Sequence, residues 1–518
     1  MKKFLITAFA FAAFAGVKAE KLHNPVIGGF HPDPSVCRVG DDFYLATSSF
    51  HYFPGVPMYH SRDLVNWELI GNVLDRDSQL QLPGAHSWIG IYAPTLRYHD
   101  GVYYMVTTNV GNGGNFFVTA TSPQGPWSEP KWLKQGGIDP SFYFEDGKCY
   151  FVSNPDNTIT LCEIDPKTGE QLTPSRALWR GTGGRYPEGP HIYKKDGMYY
   201  LLIAEGGTDT PHHLSIARSR DIYGPYEQNP ANPILDHCNL QGQHKQIQAT
   251  GHGDFIQAAD GSWWLLFLAY RNMGGTYHHI GRETYLAPVE WREGEWPVVN
   301  GTRPIDNVMD VALLPQVKVP SIVNHTTFES GKLGHEWVYI QNPVRSNYAF
   351  KGGNLRLMAS ESNLTKNKQP TFVGRRQEAE KVEVETSVTL NGKPGAEAGL
   401  SVYQNNDGHY DLCVVVDASG EQCIYLKYEV NGLPQNAAPL ARLGKNAKNV
   451  KLHVSSHNDR YYFSYSLDGK KFTEVGNLRS NMISTEVVGG FTGVVLGMYA
   501  TGKKTDYADF SYFDYYEK

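Results

Sequence analysis

A short pattern, Asp-Gly followed by an aromatic-rich segment, recurs through the N-terminal half of the chain and limits the folds open to it. Asp-Gly supplies the positive φ angles that a tight two-residue hairpin turn requires. Aromatic and β-branched residues after the turn favour a buried strand. The pattern therefore predicts five β-hairpins in series, of which the first is degenerate. They are Gly40–Tyr44, Asp100–Tyr104, Asp146–Tyr150, Asp196–Tyr200 and Asp260–Trp264.

The spacing of these hairpins indicates a β-propeller. Counted at the aromatic residue that ends each copy, successive copies are 60, 46, 50 and 64 residues apart. A four-stranded propeller blade takes about 50 residues. We therefore predict an all-β protein whose first domain, over residues 20–315, is a five-bladed propeller.

The repeat ends near residue 300, and the rest of the chain is predicted to form a second domain. Pro315–Pro320 has the composition of a linker. After it, the strand pattern continues without the blade spacing, as in Lys381–Leu390, Gly399–Gln404 and Ile424–Glu429. We predict an antiparallel β-sandwich over residues 325–518.

The N-terminus has the pattern of a secretory signal peptide. Two lysines precede an apolar run from Phe4 to Val17, and Val17-Lys18-Ala19 has the small residues of a cleavage site. The run is too short to remain as a membrane span. We predict that residues 1–19 are removed on export, that the mature protein is not inserted in a membrane, and that it resides in the periplasm.

Composition and charge narrow the choice of ligand. Aromatic residues make up 13% of the chain, and their flat faces suit the C–H edges of sugars, although β-rich proteins are rich in aromatics in any case. Removing residues 1–19 takes the formal charge from −6 to −9, because three lysines and no acid are lost. This charge argues against nucleic acid as a partner. Six cysteines in 518 residues do not make a disulfide framework, and buried free thiols are the simplest expectation.

Three carboxylates lie in rigid, proline-flanked segments upstream of a predicted hairpin. They occur in His-Pro-Asp33-Pro, Ile-Asp139-Pro and Pro-Glu188-Gly-Pro. Equivalent positions in different blades point to the same end of a propeller channel, so we expect these side chains to converge there. Hydrolysis of a glycosidic bond needs a general acid for the leaving oxygen and a second carboxylate to activate water or attack the sugar.

With these residues in place, the chain resembles glycoside hydrolase family 43 over essentially its whole mature length. The resemblance implies a five-bladed propeller with the C-terminal concanavalin-like jelly roll of the arabinofuranosidase and β-xylosidase branch. The matching segments, in chain order, are GFHPDPSVCRVGDDFYLATSSF, FPGVPMYHSRDLVNW, YAPTLRY, GGIDPSFYF, PEGPHIYKKDGMYYLLIAEGG, TGHGDF and GRETYLAPVEW.

The resemblance also implies a role for each carboxylate. Asp33 is then the general base that activates water, Glu188 the general acid, and Asp139 the group that raises the pKa of Glu188 and holds it in orientation. This division of labour inverts the configuration of the sugar. In an inverting enzyme the base and the acid stand about 6.5–9.5 Å apart, because a water molecule lies between base and sugar.

Further pocket residues follow from the same resemblance. Arg282 matches an arginine that binds substrate hydroxyls, and His252 matches a histidine on the propeller axis, where some members hold Ca²⁺ or a water cluster. The sequence itself assembles no set of oxygen ligands of the kind calcium prefers. We therefore predict that the chemistry needs no cofactor, and a structural Ca²⁺ near His252 is kept as a hypothesis. The aromatic candidates for sugar stacking, with core packing as the alternative, are Phe30, Phe50, Phe53, Trp88 and Tyr92.

The predicted function is an exo-acting hydrolase that releases terminal α-L-arabinofuranosyl residues from arabinoxylan or xyloglucan oligosaccharides. A β-D-xylosidase, or an enzyme with both activities, is the alternative. A retaining fructan hydrolase is disfavoured, since its Asn-Asp-Pro-Asn and Arg-Asp-Pro motifs are absent from the sequence. A non-catalytic carbohydrate-binding protein would have lost a carboxylate, and all three are present. We predict a monomer whose sandwich domain buttresses the propeller and helps to close the pocket with one loop.

Overall fold

Five antiparallel sheets follow one another along the N-terminal part of the chain, and each contains one of the predicted hairpins. The computed structural model describes residues 20–433, 435 and 438–518. The predicted signal peptide, residues 1–19, lies outside the described residues.

Each of these sheets is one blade, numbered here 1 to 5 in chain order. Blade 1 consists of Ser35–Val39, Asp42–Ala46, Gly55–Ser61 and Glu68–Leu74. Blade 2 consists of Gly90–Ile91, Thr95–His99, Val102–Val110, Gly114–Ala120 and Lys131–Trp132. Blade 3 consists of Ser141–Glu145, Lys148–Ser153, Ile159–Ile164 and Arg176–Trp179. Blade 4 consists of Glu188–Lys195, Met198–Glu205, His213–Ser219, Glu227–Gln228 and Leu235–Asp236. Blade 5 consists of Ile247–Gln257, Trp263–Arg271, Glu283–Glu290 and Val298–Val299.

The Asp-Gly pairs form the turns that the repeat predicts. Asp100, Asp146 and Asp196 have φ angles of 48°, 49° and 52°, and the glycine after each is also left-handed. Two successive positive φ angles match the twist of a hairpin. In blades 2, 3 and 4 this turn joins the innermost strand to the next strand out.

The innermost strands contact one another in a closed ring, which confirms the five-bladed propeller. A short sheet of Glu20–His23 with Val308–Val311 joins the two ends of this part of the chain. The innermost strands are Ser35–Val39, Thr95–His99, Ser141–Glu145, Glu188–Lys195 and Ile247–Gln257.

A buried polar network crosses the propeller between these strands. The Asp254 carboxylate of blade 5 accepts hydrogen bonds from Ser35 Oγ at 2.8 Å in blade 1 and from Tyr193 Oη at 2.6 Å in blade 4. Arg97 of blade 2 donates to the same carboxylate at 2.8 Å, and its other nitrogen lies 2.8 Å from His191 Nδ1. One carboxylate thus ties four blades together at the axis.

The C-terminal domain is a sandwich of two sheets around one apolar core, as predicted. We call them the distal sheet and the facing sheet, since the latter packs on the propeller. The distal sheet consists of His325–Thr327, Tyr348–Lys351, Asn354–Met358, Val382–Asn391, Val450–His457, Arg460–Ser466, Thr473–Arg479 and Tyr507–Glu517. The facing sheet consists of Trp337–Ile340, Thr371–Arg376, Glu397–Asn405, Gly408–Val416, Gln422–Val430, Ala441–Gly444 and Val495–Thr501.

The propeller adds an eighth strand to the facing sheet. Tyr52–Phe53 pairs with Trp337–Ile340, and buried Phe30, Phe50 and Tyr52 pack against the facing sheet. Between the domains, residues 312–324 have no regular secondary structure. All six cysteines are free thiols, as expected.

Helical structure is scarce in the described part of the chain. Its one α-helix, Thr485–Val488, lies in the sandwich domain. None of its helices has the length and apolar character needed to span a bilayer. The short 3₁₀ segments are Pro155–Asn157, Gly242–Gln246, Asn300–Thr302, Arg345–Asn347 and Ser480–Ile483.

Candidate active site

A cavity of about 680 Å³ opens at the end of the propeller where the innermost strands begin, and all three predicted carboxylates line it. Asp33 and Asp139 each lie two residues before an innermost strand, and Glu188 is the first residue of another. In blade 2 the equivalent position is Ala93, in Ala-Pro-Thr, which also lines the cavity. Three different blades therefore deliver a carboxyl group to one end of the axis.

Left-handed backbone conformations aim two of these side chains. Asp33 has a φ of 57° and Asp139 a φ of 52°, a region that residues other than glycine seldom adopt and that is often found at functional sites. Gly189, next to Glu188, has a φ of 59°. A Cβ there would lie 2.9 Å from His252 Cε1, so glycine lets the Glu188 segment lie against the histidine.

Asp33 is buried but surrounded by groups that stabilise its ionised form. Ser48 Oγ donates a hydrogen bond of 2.5 Å to Oδ2, and Arg282 Nη1 donates one of 3.2 Å to Oδ1. Burial alone would raise the pKa of Asp33. The positive charge of Arg282, the nearby imidazole of His252 and the Ser48 hydrogen bond outweigh burial and hold the pKa of Asp33 below its ordinary value. Asp33 is therefore a carboxylate at neutral pH.

Glu188 and Asp139 have the opposite character. Burial and the negative charge of Asp33 raise the pKa of Glu188 to about 8, against the pull of Arg282. Burial and repulsion by Glu188 and Asp33 hold the pKa of Asp139 well above its ordinary value. Neighbouring carboxyl groups that repel each other titrate as a pair, so Glu188 and Asp139 retain a proton between them at neutral pH.

His252 stands between two of the acids. Its Nδ1 lies 3.8 Å from Asp33 Oδ1 and 3.9 Å from Asp139 Oδ2, and burial lowers its pKa. In the described residues, no group of three or more His, Cys, Asp or Glu side chains is arranged to hold a metal ion. The cationic Arg282 is bonded to Asp33, and calcium prefers about six to eight oxygen ligands. The hypothesis of a structural Ca²⁺ near His252 stays a prediction.

Arg282 is buried at the wall of the cavity, and its ion pair with Asp33 is not at the protein surface. Besides Asp33, it bonds the carbonyl oxygen of Phe491 at 3.4 Å. Its guanidinium lies 5.6 Å from the ring centres of both Phe50 and Phe491. Its Nε is buried and has no hydrogen-bond partner among the described residues. Because Arg282 lines the cavity, its guanidinium is placed beside any molecule that enters.

Three of the predicted aromatic residues line the cavity and two do not. Phe50, Trp88 and Tyr92 are at its wall. Phe30 is wholly buried behind Phe50, with ring centres 5.8 Å apart. Phe53 pairs with the sandwich strand Trp337–Ile340. The prediction of Phe30 and Phe53 as sugar-stacking residues is therefore wrong, because the sandwich domain covers the side of the propeller on which they lie.

The sandwich domain supplies part of the cavity wall. Phe491 packs edge-on against Trp88, at 4.6 Å between ring centres, and lies 5.5 Å from Phe50. Glycines bring its loop this close: a Cβ at Gly490 would lie 2.5 Å from Ser87 Oγ, and one at Gly493 would lie 2.2 Å from the Ile280 carbonyl oxygen. The arrangement agrees with the expectation that one sandwich loop helps to close the pocket.

Comparison with known proteins identifies the family. The sequence profile of glycosyl hydrolases family 43 matches residues 22–297, and that of the β-xylosidase C-terminal concanavalin A-like domain matches residues 325–516. The chain belongs to glycoside hydrolase family 43. The resemblance and the concanavalin-like second domain are thereby confirmed.

Full-length relatives of this family 43 protein have related activities. It is 40% identical to the non-reducing end α-L-arabinofuranosidase of Bacteroides ovatus, over 99% of this chain and 98% of that one. It is 39% identical to a xylosidase/arabinosidase of Butyrivibrio fibrisolvens, over 95% of this chain and 98% of that one. The solved structure "Bacteroides ovatus Xyloglucan PUL GH43B" superposes with a TM-score of 0.91 at 40% identity, covering 96% of this chain and 100% of that one.

Sequence reasoning missed several residues of the family 43 cavity. Phe491 lies in Gly-Gly-Phe-Thr-Gly, a glycine-rich aromatic segment that could have drawn attention to it. His212 lines the cavity with its Nε2 buried and unpartnered among the described residues. Its ring lies 2.2 Å from where a Cβ at Gly251 would be. Sequence reasoning also missed a contact between the two domains at the cavity wall. There, a carboxylate oxygen of Glu486 in the sandwich domain lies 2.5 Å from His278 Nδ1.

Proposed function

We propose that this protein is an exo-acting, inverting glycoside hydrolase that releases terminal α-L-arabinofuranosyl residues from hemicellulose oligosaccharides. The observation that carries the proposal is the pair of opposite protonation states in one cavity. Asp33 has a lowered pKa, whereas Glu188 has a pKa raised to about 8. A site that holds an ionised and a protonated carboxyl together at neutral pH supplies the base and the acid that hydrolysis needs.

The proposed steps use only side chains of this chain and water. Asp33 takes a proton from a water molecule, which attacks the anomeric carbon. Glu188 donates its proton to the leaving glycosidic oxygen, so that neither the attacking water nor the leaving oxygen develops a full charge. Asp139 shares a proton with Glu188. Arg282 and His252 bind sugar hydroxyls. Water and two carboxyl groups complete the proton transfers, so we propose that no cofactor takes part.

The shape of the cavity supports exo-action. Phe491, Trp88 and Phe50 form a continuous aromatic wall on one side, and the carboxyl groups lie buried at the axis. A pocket with its carboxyl groups buried at the axis suits the entry of one terminal sugar. The relatives from Bacteroides ovatus and Butyrivibrio fibrisolvens, with their arabinofuranosidase and xylosidase/arabinosidase activities, support a terminal pentose. A β-D-xylosidase activity, alone or in addition, is the second candidate on the same ground.

A direct assay separates the two pentoses. Aryl α-L-arabinofuranoside and aryl β-D-xyloside are compared side by side, with proton NMR following the anomer that is released first. We expect faster hydrolysis of the arabinofuranoside and release with inverted configuration. Faster hydrolysis of the xyloside would transfer the assignment to the second candidate, and retained configuration would contradict the roles of Asp33 and Glu188.

The general acid is tested by Glu188→Gln. We expect kcat for a substrate with a poor leaving group to fall by about 10²- to 10⁴-fold, and much less for an aryl glycoside whose leaving group needs no proton. Glu145→Gln, at the far end of the blade 3 innermost strand, is the control and should leave both rates unchanged. An equal loss on both substrates, or full activity on both, would contradict the acid role of Glu188, whereas no hydrolysis by the native protein would favour a carbohydrate-binding protein.

We also propose where the enzyme works and in what state. The signal-peptide pattern of residues 1–19 supports export to the periplasm. We also propose a monomer that acts on oligosaccharides, with the propeller and the sandwich domain of the same chain supplying the cavity walls. Cell fractionation and gel filtration test the two points, and a cytoplasmic enzyme or a stable dimer would contradict them.

A further inference from the structure

A second cavity, of about 720 Å³, lies wholly within the sandwich domain and has no part in the proposed chemistry. We call it the sandwich pocket. Its floor is formed by four strands of the facing sheet, and the segment from Glu361 to Lys366 lines one side. The floor strands are Glu397–Asn405, Gly408–Val416, Gln422–Val430 and Val495–Thr501.

Strand register explains why polar side chains meet on this floor. Successive residues of a strand point to opposite faces. In Gly408–Val416, Tyr410 and Leu412 therefore enter the sandwich core, while His409 and Asp411 face the pocket. Asp411 is paired across the sheet with Lys427. The polar floor is thus the outer face of a well-packed sheet.

Two side chains of the floor have unused hydrogen-bonding atoms. His409 and Asp411 are only 4% and 5% exposed and bond each other at 2.8 Å through Nδ1 and Oδ2. The remaining atoms, His409 Nε2 and Asp411 Oδ1, are buried and have no partner among the described residues. Native proteins nearly always satisfy such atoms. Their position in a cavity indicates a ligand that brings its own donors and acceptors.

The charges around the floor indicate which ligand. Glu397 accepts hydrogen bonds from Tyr499 Oη at 2.5 Å and from Lys427. The further lining residues Glu361, Glu429 and Lys366 mix the two signs. The several carboxylates disfavour an anion, and the described residues hold no cluster arranged for a metal ion. Interleaved donors and acceptors suit hydroxyl groups, each of which both donates and accepts.

From this geometry we propose that the sandwich pocket is a second, non-catalytic saccharide-binding site. The choice of a pentose oligosaccharide as its ligand rests on the function proposed above, whereas the existence of the site does not. Binding there would hold the enzyme on its polymeric source while the propeller cavity removes terminal sugars.

The test counts binding sites on the full chain. A β-1,4-xylotetraose that carries a terminal α-L-arabinofuranosyl branch, called xylotetraose below, is titrated by calorimetry into the Glu188→Gln variant, in which turnover is suppressed. We expect two xylotetraose molecules per chain. Adding Asp411→Asn, or in a separate protein Glu397→Gln, should weaken one site by at least about tenfold and leave the other unchanged, since each removes an acceptor of the sandwich pocket alone.

A matched control exists on the distal sheet. Glu385 accepts hydrogen bonds from Lys451 at 3.1 Å and from Tyr512, as Glu397 does from Lys427 and Tyr499. Glu385→Gln removes an equivalent half-buried interaction outside the pocket and should keep both sites. If Asp411→Asn fails to fold, as judged by circular dichroism, the Glu397→Gln and Glu385→Gln pair still decides the question.

Three outcomes would overturn the proposal. These are a single site in the parent protein, two intact sites in the pocket variants, or binding of CaCl₂ or inorganic phosphate by the pocket with none of xylotetraose. Hydrolysis of aryl arabinofuranoside by Asp411→Asn and Glu397→Gln in the otherwise native chain is measured separately and should be unchanged. If the activity assays contradict the proposed function but two binding sites are counted, the sandwich-pocket proposal still holds. If the assays support the proposed function but only the propeller cavity binds the saccharide, only the sandwich-pocket proposal fails.

Discussion

At the scale of single residues, the site works because neighbours set opposite protonation states for chemically similar groups. Asp33 has a cation and a hydroxyl donor beside it, whereas Glu188 and Asp139 face each other and a third carboxylate. The usable pH range follows directly. Asp33 loses its charge only below its ordinary pKa, and Glu188 loses its proton at about pH 8. Activity is therefore expected to fall on the alkaline side near pH 8 and to persist well into the acid range.

Ser48→Ala tests the environment of Asp33. Without the Ser48 hydrogen bond, the ionised form of Asp33 is less stable, so its pKa rises and the acid limb of the kcat/KM profile moves to higher pH. The alkaline limb should stay in place. Ser49→Ala, which removes a neighbouring buried hydroxyl bonded to the Val56 N–H, is the control and should shift neither limb. An unchanged acid limb in Ser48→Ala would show that Asp33 does not set it.

Asn154 positions two of the acid-bearing segments together. Its Oδ1 accepts from the Ile138 N–H at 2.7 Å, and its Nδ2 donates to the Pro187 carbonyl at 3.1 Å. These residues directly precede Asp139 and Glu188. Asn154 thus holds the two carboxyl groups at a fixed separation without touching substrate.

Asn154→Ala is expected to lower kcat by about 10- to 100-fold, since small displacements of acting groups have effects of that size. KM should change little. The alkaline limb should also move to lower pH as the pair separates. Asn115→Ala, which removes a buried asparagine that bonds Thr108 and Gln135, is the control for general loss of structure. A full-rate Asn154→Ala enzyme would contradict the positioning role.

At the scale of elements, the innermost strands carry both the site and the axis that fixes it. The strand starts of blades 1, 3 and 4 deliver the three acids, while Asp254 joins blades 1, 2, 4 and 5 beneath them. Burial would raise the pKa of Asp254, but Arg97, His191 and the Tyr193 hydrogen bond hold it well below its ordinary value. Its stabilising contribution is therefore present above the ordinary Asp pKa and is lost as the pH falls.

Asp254→Asn is expected to lower the free energy of unfolding by about 3–5 kcal/mol at pH 7, because it leaves the Arg97 charge buried without its partner. The difference between variant and native protein should narrow toward acid pH. Asp310→Asn removes an exposed ion pair with Lys21 and should change stability by less than about 1 kcal/mol. Denaturant unfolding at pH 7 and at about pH 2.5, below the ordinary pKa of an aspartate, measures both. Equal stability of the two variants at pH 7 would contradict the account.

At the scale of the whole molecule, the sandwich domain is part of the catalytic unit. It covers Phe30 and Tyr52, adds a strand pairing to the propeller, and places Phe491 against Trp88. Separating the domains would expose this apolar face to water and open one wall of the cavity.

A chain that ends at Val317 is therefore expected to be insoluble or inactive on aryl glycosides. In the full chain, Phe491→Ala should raise KM by about three- to tenfold through loss of an aromatic contact. Tyr516→Ala, an exposed aromatic on the distal sheet, is the control. A soluble truncated propeller with native kcat/KM would refute the buttress role.

Local patterns in the sequence were sufficient for the fold class and the three carboxylates. An Asp-Gly turn acts on its own backbone, so Asp100 reveals its conformation without knowledge of the rest of the chain. The prolines on both sides of Asp33 single out that acid, but they do not reveal its left-handed φ of 57°. The repeat then places Asp33, Asp139 and Glu188 at equivalent points of successive blades. The family 43 segments agree with that derivation.

Only the tertiary structure decided which other residues lie beside the three carboxylates. Phe30 and Phe50 are both aromatic and both near Asp33 in sequence, yet only Phe50 lines the cavity, because the sandwich domain packs over the other. Phe491 reaches the pocket from another domain, and Asp254 gains Arg97 and Tyr193 from different blades. Contacts between residues so far apart depend on how whole sheets pack, which the residues on either side of a given position do not determine.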